Sequence, residues 1–304
     1  MKLKHIIPAF TLLLFSMMFT SCYQEIDSTV KDNKSEVKVT LKGFSTSLSS
    51  GNTRASLEET SVKRISFSVF NEEGTEVEQI TQSITDPYFG QITLLLPGGE
   101  YTFVAVAHGV SNDAAGNAII RSTTEVQLPE ALVPDTYSGV ETFTISGNKS
   151  ESFSMELNQA VAHVVAISED IVPEAVGYIG FQIFNSEGSG ETVSAKNLPL
   201  FDPSTGLSLR DYKFNVALLA TSGSEFDREF FILLPSESAQ LPITLSVYDS
   251  SSQVLTEYTR QLQPQPFRQA YTTTLSGTIF SSLQNGSFTF NGYLGDLTGS
   301  LENF

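Results

Sequence analysis

Tryptophan is absent from this chain, cysteine occurs once, and only three histidines are present. Each shortage removes a class of function. A single cysteine, Cys22, rules out a disulfide-stapled scaffold and a cysteine-rich zinc site. Of the histidines, His5 lies in an N-terminal apolar segment, which leaves His108 and His163. No HExxH or GxSxG pattern occurs, so the familiar zinc-hydrolase and nucleophile-elbow signatures are missing. Basic residues are scarce as well. Seventeen Lys and Arg stand against 34 Asp and Glu, for a formal net charge of −17 in 304 residues. Such a chain repels phosphate backbones, and nucleic acid is not an expected partner. The longest apolar run, Ile6 to Phe19, is about fourteen residues, short of the ~20 a membrane-spanning helix requires.

What is present begins at that run. Lys2 and Lys4 precede it, and Phe19-Thr20-Ser21-Cys22 follows it. A basic start, a short apolar stretch and small residues form a secretory signal. With Cys22 directly after Ser21, the segment looks like the lipobox of a bacterial lipoprotein. Residues 1–21 would then be removed and Cys22 acylated. The alternative is a cleaved signal followed by an unmodified thiol. One acyl chain anchors marginally, whereas a multiply acylated cysteine, palmitate included, would hold firmly. The expected location is therefore the outer membrane, with the cargo exposed at the cell surface. Residues 22–35 are polar and aperiodic and read as a tether. Glu25 and Asp27 resemble an export signal to the outer face of the outer membrane, or are simply part of a solvated linker.

The remainder is rich in Ser, Thr, Phe and Val, a mix suited to sheets, and shows no good helical period. In residues 36–157, Val37, Val39 and Leu41 alternate with Lys38, Thr40 and Lys42, the pattern of a half-buried strand. Ile65–Phe70 and Gln91–Leu96 alternate too, the latter ended by Pro97-Gly98-Gly99. Tyr101–Ala107 is apolar on both faces and is expected at the centre of a sheet. Short strands follow at Thr124–Leu128, Glu141–Ile145 and Ser150–Leu157. Short strands separated by turn chemistry predict an antiparallel β-sandwich.

Residues 158–304 repeat the plan. Ile65–Gly74 (ISFSVFNEEG) and Ile179–Gly188 (IGFQIFNSEG) agree at seven of ten positions when a Val/Ile swap is counted. Leu94–Ala107 and Ile232–Val247 share an apolar strand, a proline, a turn and a second alternating strand. Two copies of one sandwich, the second with extra loop around Ser194–Asp211, explain both pairs. Ala160–Ile167 would open the second copy and Tyr271–Phe280 would close it. Asn285-Gly286 predicts a two-residue hairpin joining Thr278–Leu283 to Ser287–Phe290. The last residues are either an edge strand on their own domain or a segment seeking a partner edge.

Candidate chemistry is thin. His108 and His163 have valines at the same strand parity and read as core or strand-end residues. Asp202, Asp211 and Glu225 fall in or near loops without Ca²⁺-loop spacing. No catalytic, cofactor-binding or metal site emerges, and the chain is not read as an enzyme.

Lipobox Cys22, a tether, the first strand VKVTLKGF, a loop holding Arg54-Ala55, and two sandwiches closing on RQAYTTTLSGTIF together resemble the fimbrillin-like proteins, the subunits and anchors of the Bacteroidales type V pilus. The resemblance spans essentially the whole chain after Cys22. It implies two tandem transthyretin-like β-sandwiches and a role in surface adhesion and pilus assembly. It also implies a mechanism. An arginine-specific protease cuts after an Arg beyond the first strand, the excised strand leaves an open groove, and a neighbouring subunit fills it by strand addition. Arg54-Ala55 stands where such a cut would fall, and Val37–Phe44 would be the strand removed; otherwise Arg54 is a solvated loop residue. Partners would be other fimbrial subunits, together with the membrane through Cys22. A departure from the pattern is Asn158-Gln159-Ala160, where a basic residue would be expected. The alternative from another class is a surface lipoprotein that binds glycan or host protein through Tyr88, Tyr137, Tyr178, Tyr212 or Tyr293.

Overall fold

The computed structural model describes residues 33–44, 62–110, 116–185, 190–281, 290–296 and 301–302. Its first half contains β1 (Lys34–Lys42), β2 (Arg64–Asn71), β3 (Glu76–Ser83), β4 (Gln91–Pro97), β5 (Gly99–His108), β6 (Ile119–Ser122), β7 (Glu125–Gln127), β8 (Thr136–Ile145), β9 (Glu151–Glu156) and β10 (Asn158–Gln159). The second contains β11 (Ala162–Ile171), β12 (Tyr178–Phe184), β13 (Glu191–Thr192), β14 (Leu200–Phe201), β15 (Tyr212–Leu219), β16 (Glu225–Ile232), β17 (Ser238–Leu241), β18 (Ile243–Tyr248), β19 (Val254–Gln261), β20 (Gln265–Arg268), β21 (Tyr271–Gly277), β22 (Phe290–Asp296) and β23 (Leu301–Glu302). The fold is all-β.

Pairing order exposes the repeat more clearly than the sequence does. The first half builds one sheet in the order β4-β1-β9 and another in the order β10-β8-β5-β2-β3. The second half builds β16-β11-β21-β22-β23 and β13-β15-β12-β18-β19. Laying β11 on β1 and β12 on β2 brings β15 onto β3, β16 onto β4, β18 onto β5, β19 onto β8 and β21 onto β9. Chain order is kept throughout. Even the exceptions to antiparallel pairing coincide: β1 runs parallel to β9, and β11 parallel to β21. A further parallel pair, β13 with β15, is specific to the second half.

The period-two pattern of the first strand comes through intact. Val37, Val39 and Leu41 are buried and Lys38, Thr40 and Lys42 exposed. They pack with Ile92, Leu94 and Leu96 of β4 against Ile65, Phe67 and Val69 of β2 and Phe103, Ala105 and Ala107 of β5. Phe67 and Phe103 meet edge to face at 5.5 Å, a geometry favoured by the ring quadrupoles. Strand β5, apolar on both faces, lies at the centre of its five-stranded sheet as expected.

Two local readings change. β2 was expected to be half-buried, yet Ser66 and Ser68 are as buried as the apolar positions. The cause is a third layer. β6, β7 and β14 form a small sheet, and β14 comes from the second half. It brings Ala118, Ile120, Val126 and Leu128 over Phe70, Val104 and Val106, in a core continuous with that of the second half. The serines are tolerated because they are small, and because Ser66 donates to the Ala118 carbonyl at 2.7 Å. The second change is at the C-terminal end. β21 stops at Gly277 and its neighbour β22 begins at Phe290, with Gly277 opposite Phe290. Residues 278–281 are not strand, and the rest of the expected strand to Leu283 lies outside the described residues. Asn285-Gly286 lies outside the described residues. β22 and β23 add to the edge of their own half.

Candidate functional surfaces

Cys22, Arg54 and Ala55 all lie outside the described residues. The strand between them is described. β1 is held on one side by β4, antiparallel from Lys34↔Pro97 to Thr40↔Gln91, and on the other by β9, parallel from Val37↔Glu151 to Lys42↔Glu156. It is thus the middle strand of a three-stranded sheet. Its residues Val37, Val39 and Leu41, and Phe44 just beyond it, belong to the first-half core. Withdrawing β1 would leave the facing edges of β4 and β9 unpaired and open an apolar slot between them.

Both described histidines are engaged within the protein. His108 ends β5 fully buried. Its Nε2 accepts the Ala118 N–H at 3.1 Å, so the proton must sit on Nδ1, which donates to the Gly109 carbonyl. Burial pushes the imidazole pKa down, and the ring is a neutral splint for the chain end after β5. His163 on β11 sits between the Thr272 hydroxyl at Nδ1 and the Glu229 carboxylate at Nε2, each 3.0 Å away. Hydroxyl, imidazole and carboxylate in a row is the grouping used for nucleophilic catalysis. Here the ring is buried and stacked on Phe231 at 4.9 Å, and both nitrogens are occupied. The His163 hydrogen bond holds the Glu229 carboxyl below the usual range against the opposing effect of burial. The row ties β16, β11 and β21 together.

Among the acidic residues, Asp202 caps its own turn through the Ser204 N–H and hydroxyl. Asp211 and Glu225 are exposed. Among the described residues no three of His, Cys, Asp and Glu are grouped closely enough to hold a metal. Sequence reasoning missed Asp170. Its carboxylate accepts the N–H groups of Ile279 (2.9 Å), Phe280 (2.7 Å) and Ser281 (2.6 Å), as well as the Ser168 hydroxyl. Burial alone would raise its pKa; these donors outweigh it and hold the carboxyl below its usual range. The arrangement pins the chain beyond β21 to β11. A separation of more than 100 residues hides it from local patterns.

The tyrosines divide. Tyr137 and Tyr212 are core residues, so they cannot serve as surface platforms. Tyr212 instead accepts the Leu200 N–H through its hydroxyl at 2.9 Å. Tyr88 is 76% exposed on a turn, with φ of 62°. Tyr178 is half-buried on the outer face of β12, and its cross-strand neighbour there is Tyr248, which sequence reasoning passed over. The side chain of Tyr293 lies outside the described residues.

Residues 31–293 match the family model of fimbrillin-A associated anchor proteins Mfa1 and Mfa2. Two solved structures also align with the chain. The fimbrial anchor protein Mfa2 from Porphyromonas gingivalis aligns at 10% identity and a TM-score of 0.48, over 88% of this chain and 98% of that one. A fimbrial assembly protein from Parabacteroides distasonis aligns at 12% identity and a TM-score of 0.40, over 88% and 98%. No curated protein matches.

Proposed function

Because the chain belongs to the family of fimbrillin-A associated anchor proteins Mfa1 and Mfa2, we propose that it anchors a fimbrium at the cell surface, held in the outer membrane by lipid on Cys22. The family match over residues 31–293 is the observation that carries this reading. Residues 36–157 and 158–304 act as two transthyretin-like modules, a division supported by the shared pairing order. The N-terminal signal and the tether of residues 22–35 support the lipid attachment. Assembly with other fimbrial subunits proceeds by strand addition, with backbone N–H and C=O groups of an open edge supplying the bonds. In an anchor that retains its own N-terminus, β1 stays in place and Arg54 remains uncut. The function is mechanical attachment and needs no reactive side chain.

Mass spectrometry of the N-terminal peptide from cell-surface material tests this. An acylated Cys22, with β1 still joined to the chain, is the expected result. An N-terminus at Ala55 would overturn the anchor role and make the chain a polymerising subunit.

A further inference from the structure

The outer face of the sheet β13-β15-β12-β18-β19 carries a trough. Register places its residues in rows across the strands. One row is Leu219, Tyr178, Tyr248 and Val254, from the pairs Tyr178↔Leu219, Tyr178↔Tyr248 and Tyr248↔Val254. The next row is Ala217, Gly180 and Ser246. The third is Asn215, Gln182, Thr244 and Gln261. An apolar, aromatic row thus faces an amide and hydroxyl row across a floor of small residues. Gly180 makes room for the ring beside it, because a Cβ there would fall 2.6 Å from the Tyr248 ring. Tyr248 can therefore lie along the floor. Gln182 donates to the Asn215 side-chain oxygen at 3.0 Å, which fixes both amides in place.

The same face in the first half shows what this one is not built for. Ser66, Ser68, Val104 and Val106 hold the matching positions there, and the β6–β7–β14 layer buries them. In the second half Thr244 and Ser246 replace the two valines, and Leu219 and Val254 at the row ends are exposed. A face meant to receive a similar apolar layer would keep the valines. Charge makes the second distinction. Among the described residues no charged side chain lines the depression, in a chain whose net charge is −17. Its complement is an uncharged ligand that offers hydroxyls on one side and C–H surface on the other. Aromatic faces take up the apolar body and amides fix the polar groups, as in small-molecule sites generally. Four strands span three inter-strand spacings, about 14 Å, room for a short linear chain.

From this we propose that the trough formed by Tyr248, Gly180, Gln182, Asn215, Thr244 and Ser246 binds a neutral oligosaccharide. The assignment is independent of the anchoring role, which rests on the family match over residues 31–293 and on Cys22.

The test is a glycan array probed with the full chain, carrying neutral hexose and N-acetylhexosamine oligomers beside uronate and sialylated ones, followed by titration calorimetry on the best neutral hit. Tyr248→Ala and Gln182→Ala should each weaken binding at least about tenfold, the scale of one lost contact in such a site. Leu95→Ala, at an exposed apolar residue elsewhere, should leave it unchanged. Thermal melts confirm that each variant is folded. If Tyr248→Ala melts early, Gln182→Ala and Asn215→Ala carry the comparison. Retention of no neutral oligomer overturns the proposal. So do a preference for the acidic ones and an affinity indifferent to the trough substitutions. Retention of the oligomer by a chain that turns out to begin at Ala55 would remove the anchor reading and leave this one standing.

Discussion

The outer faces of β2 and β12 occupy the same place in two like-built sheets and meet opposite conditions. Over β2 lies the β6–β7–β14 layer, and Ser66 and Ser68 are sealed beneath it. Over β12 no sheet of the described residues is laid. The aligned residues follow suit: serine at 68 against glutamine at 182, valine at 106 against serine at 246. A small hydroxyl can be buried with one bond made, as Ser66 does, whereas a glutamine amide keeps four hydrogen-bonding sites and needs water or a ligand. One pairing diagram therefore serves two ends. In one half the sheet is internal framework, and in the other it is a surface.

The largest effects should come from the cores the two halves share in plan. Phe67→Ala and Phe181→Ala remove buried rings at matching positions, and each should cost about 3–5 kcal/mol in urea unfolding. The second-half core runs on beneath the first-half sheet through Phe70, Val104 and Val106, so a single cooperative transition is expected to shift in both variants. Two transitions, with Phe67→Ala moving only one, would break that continuity.

Next in size is a feature with no counterpart among the described residues of the first half. Asp170→Asn weakens the clamp on residues 279–281 and should cost on the order of 1–3 kcal/mol. The wild-type carboxyl has a lowered folded pKa, so its contribution is complete above the unfolded value near 3.8 and is lost as pH falls through the folded one. Acid titration of stability below pH 4 should flatten in the variant. An unchanged acid limb would remove Asp170 from the account.

The comparison is sharpest in a swap. Ser68→Gln forces a long amide under the covering layer and should cost about 1–3 kcal/mol. Gln182→Ser changes the open face and should stay within about 0.5 kcal/mol. Equal costs would mean that the two faces are equally covered.

The smallest effect belongs to His108. The folded state holds it neutral, so no penalty exists above an ordinary histidine value of about 6.5. Below that the unfolded chain takes up the proton first, and stability declines as pH falls. His108→Gln should flatten the slope below about pH 6.5. If the slope persists, another group carries it.

Much of this molecule is written locally. Alternation at Val37, Val39 and Leu41, two apolar faces on β5, and the matched IxFxxFNxEG segments were enough to place strands, to rank one of them central and to point to strands that hold like places in the pairing order. β3 was passed over because Glu76, Val77, Glu78 and Gln79 are all exposed on an edge and carry no burial period. Ser66 and Ser68 misled for the opposite reason, since polarity marked them as solvent-facing.

What the amino-acid order determined alone is the kind of element each segment becomes, because a strand's faces are set by a period of two residues. What tertiary structure decided is which of those faces stays open, and which distant groups find one another. The cover over β2 arrives from β14, the Asp170 carboxylate meets its donors more than 100 residues away, and the tyrosines separate into core and surface. Each of these depends on contacts between segments far apart in the chain, where no local period reaches.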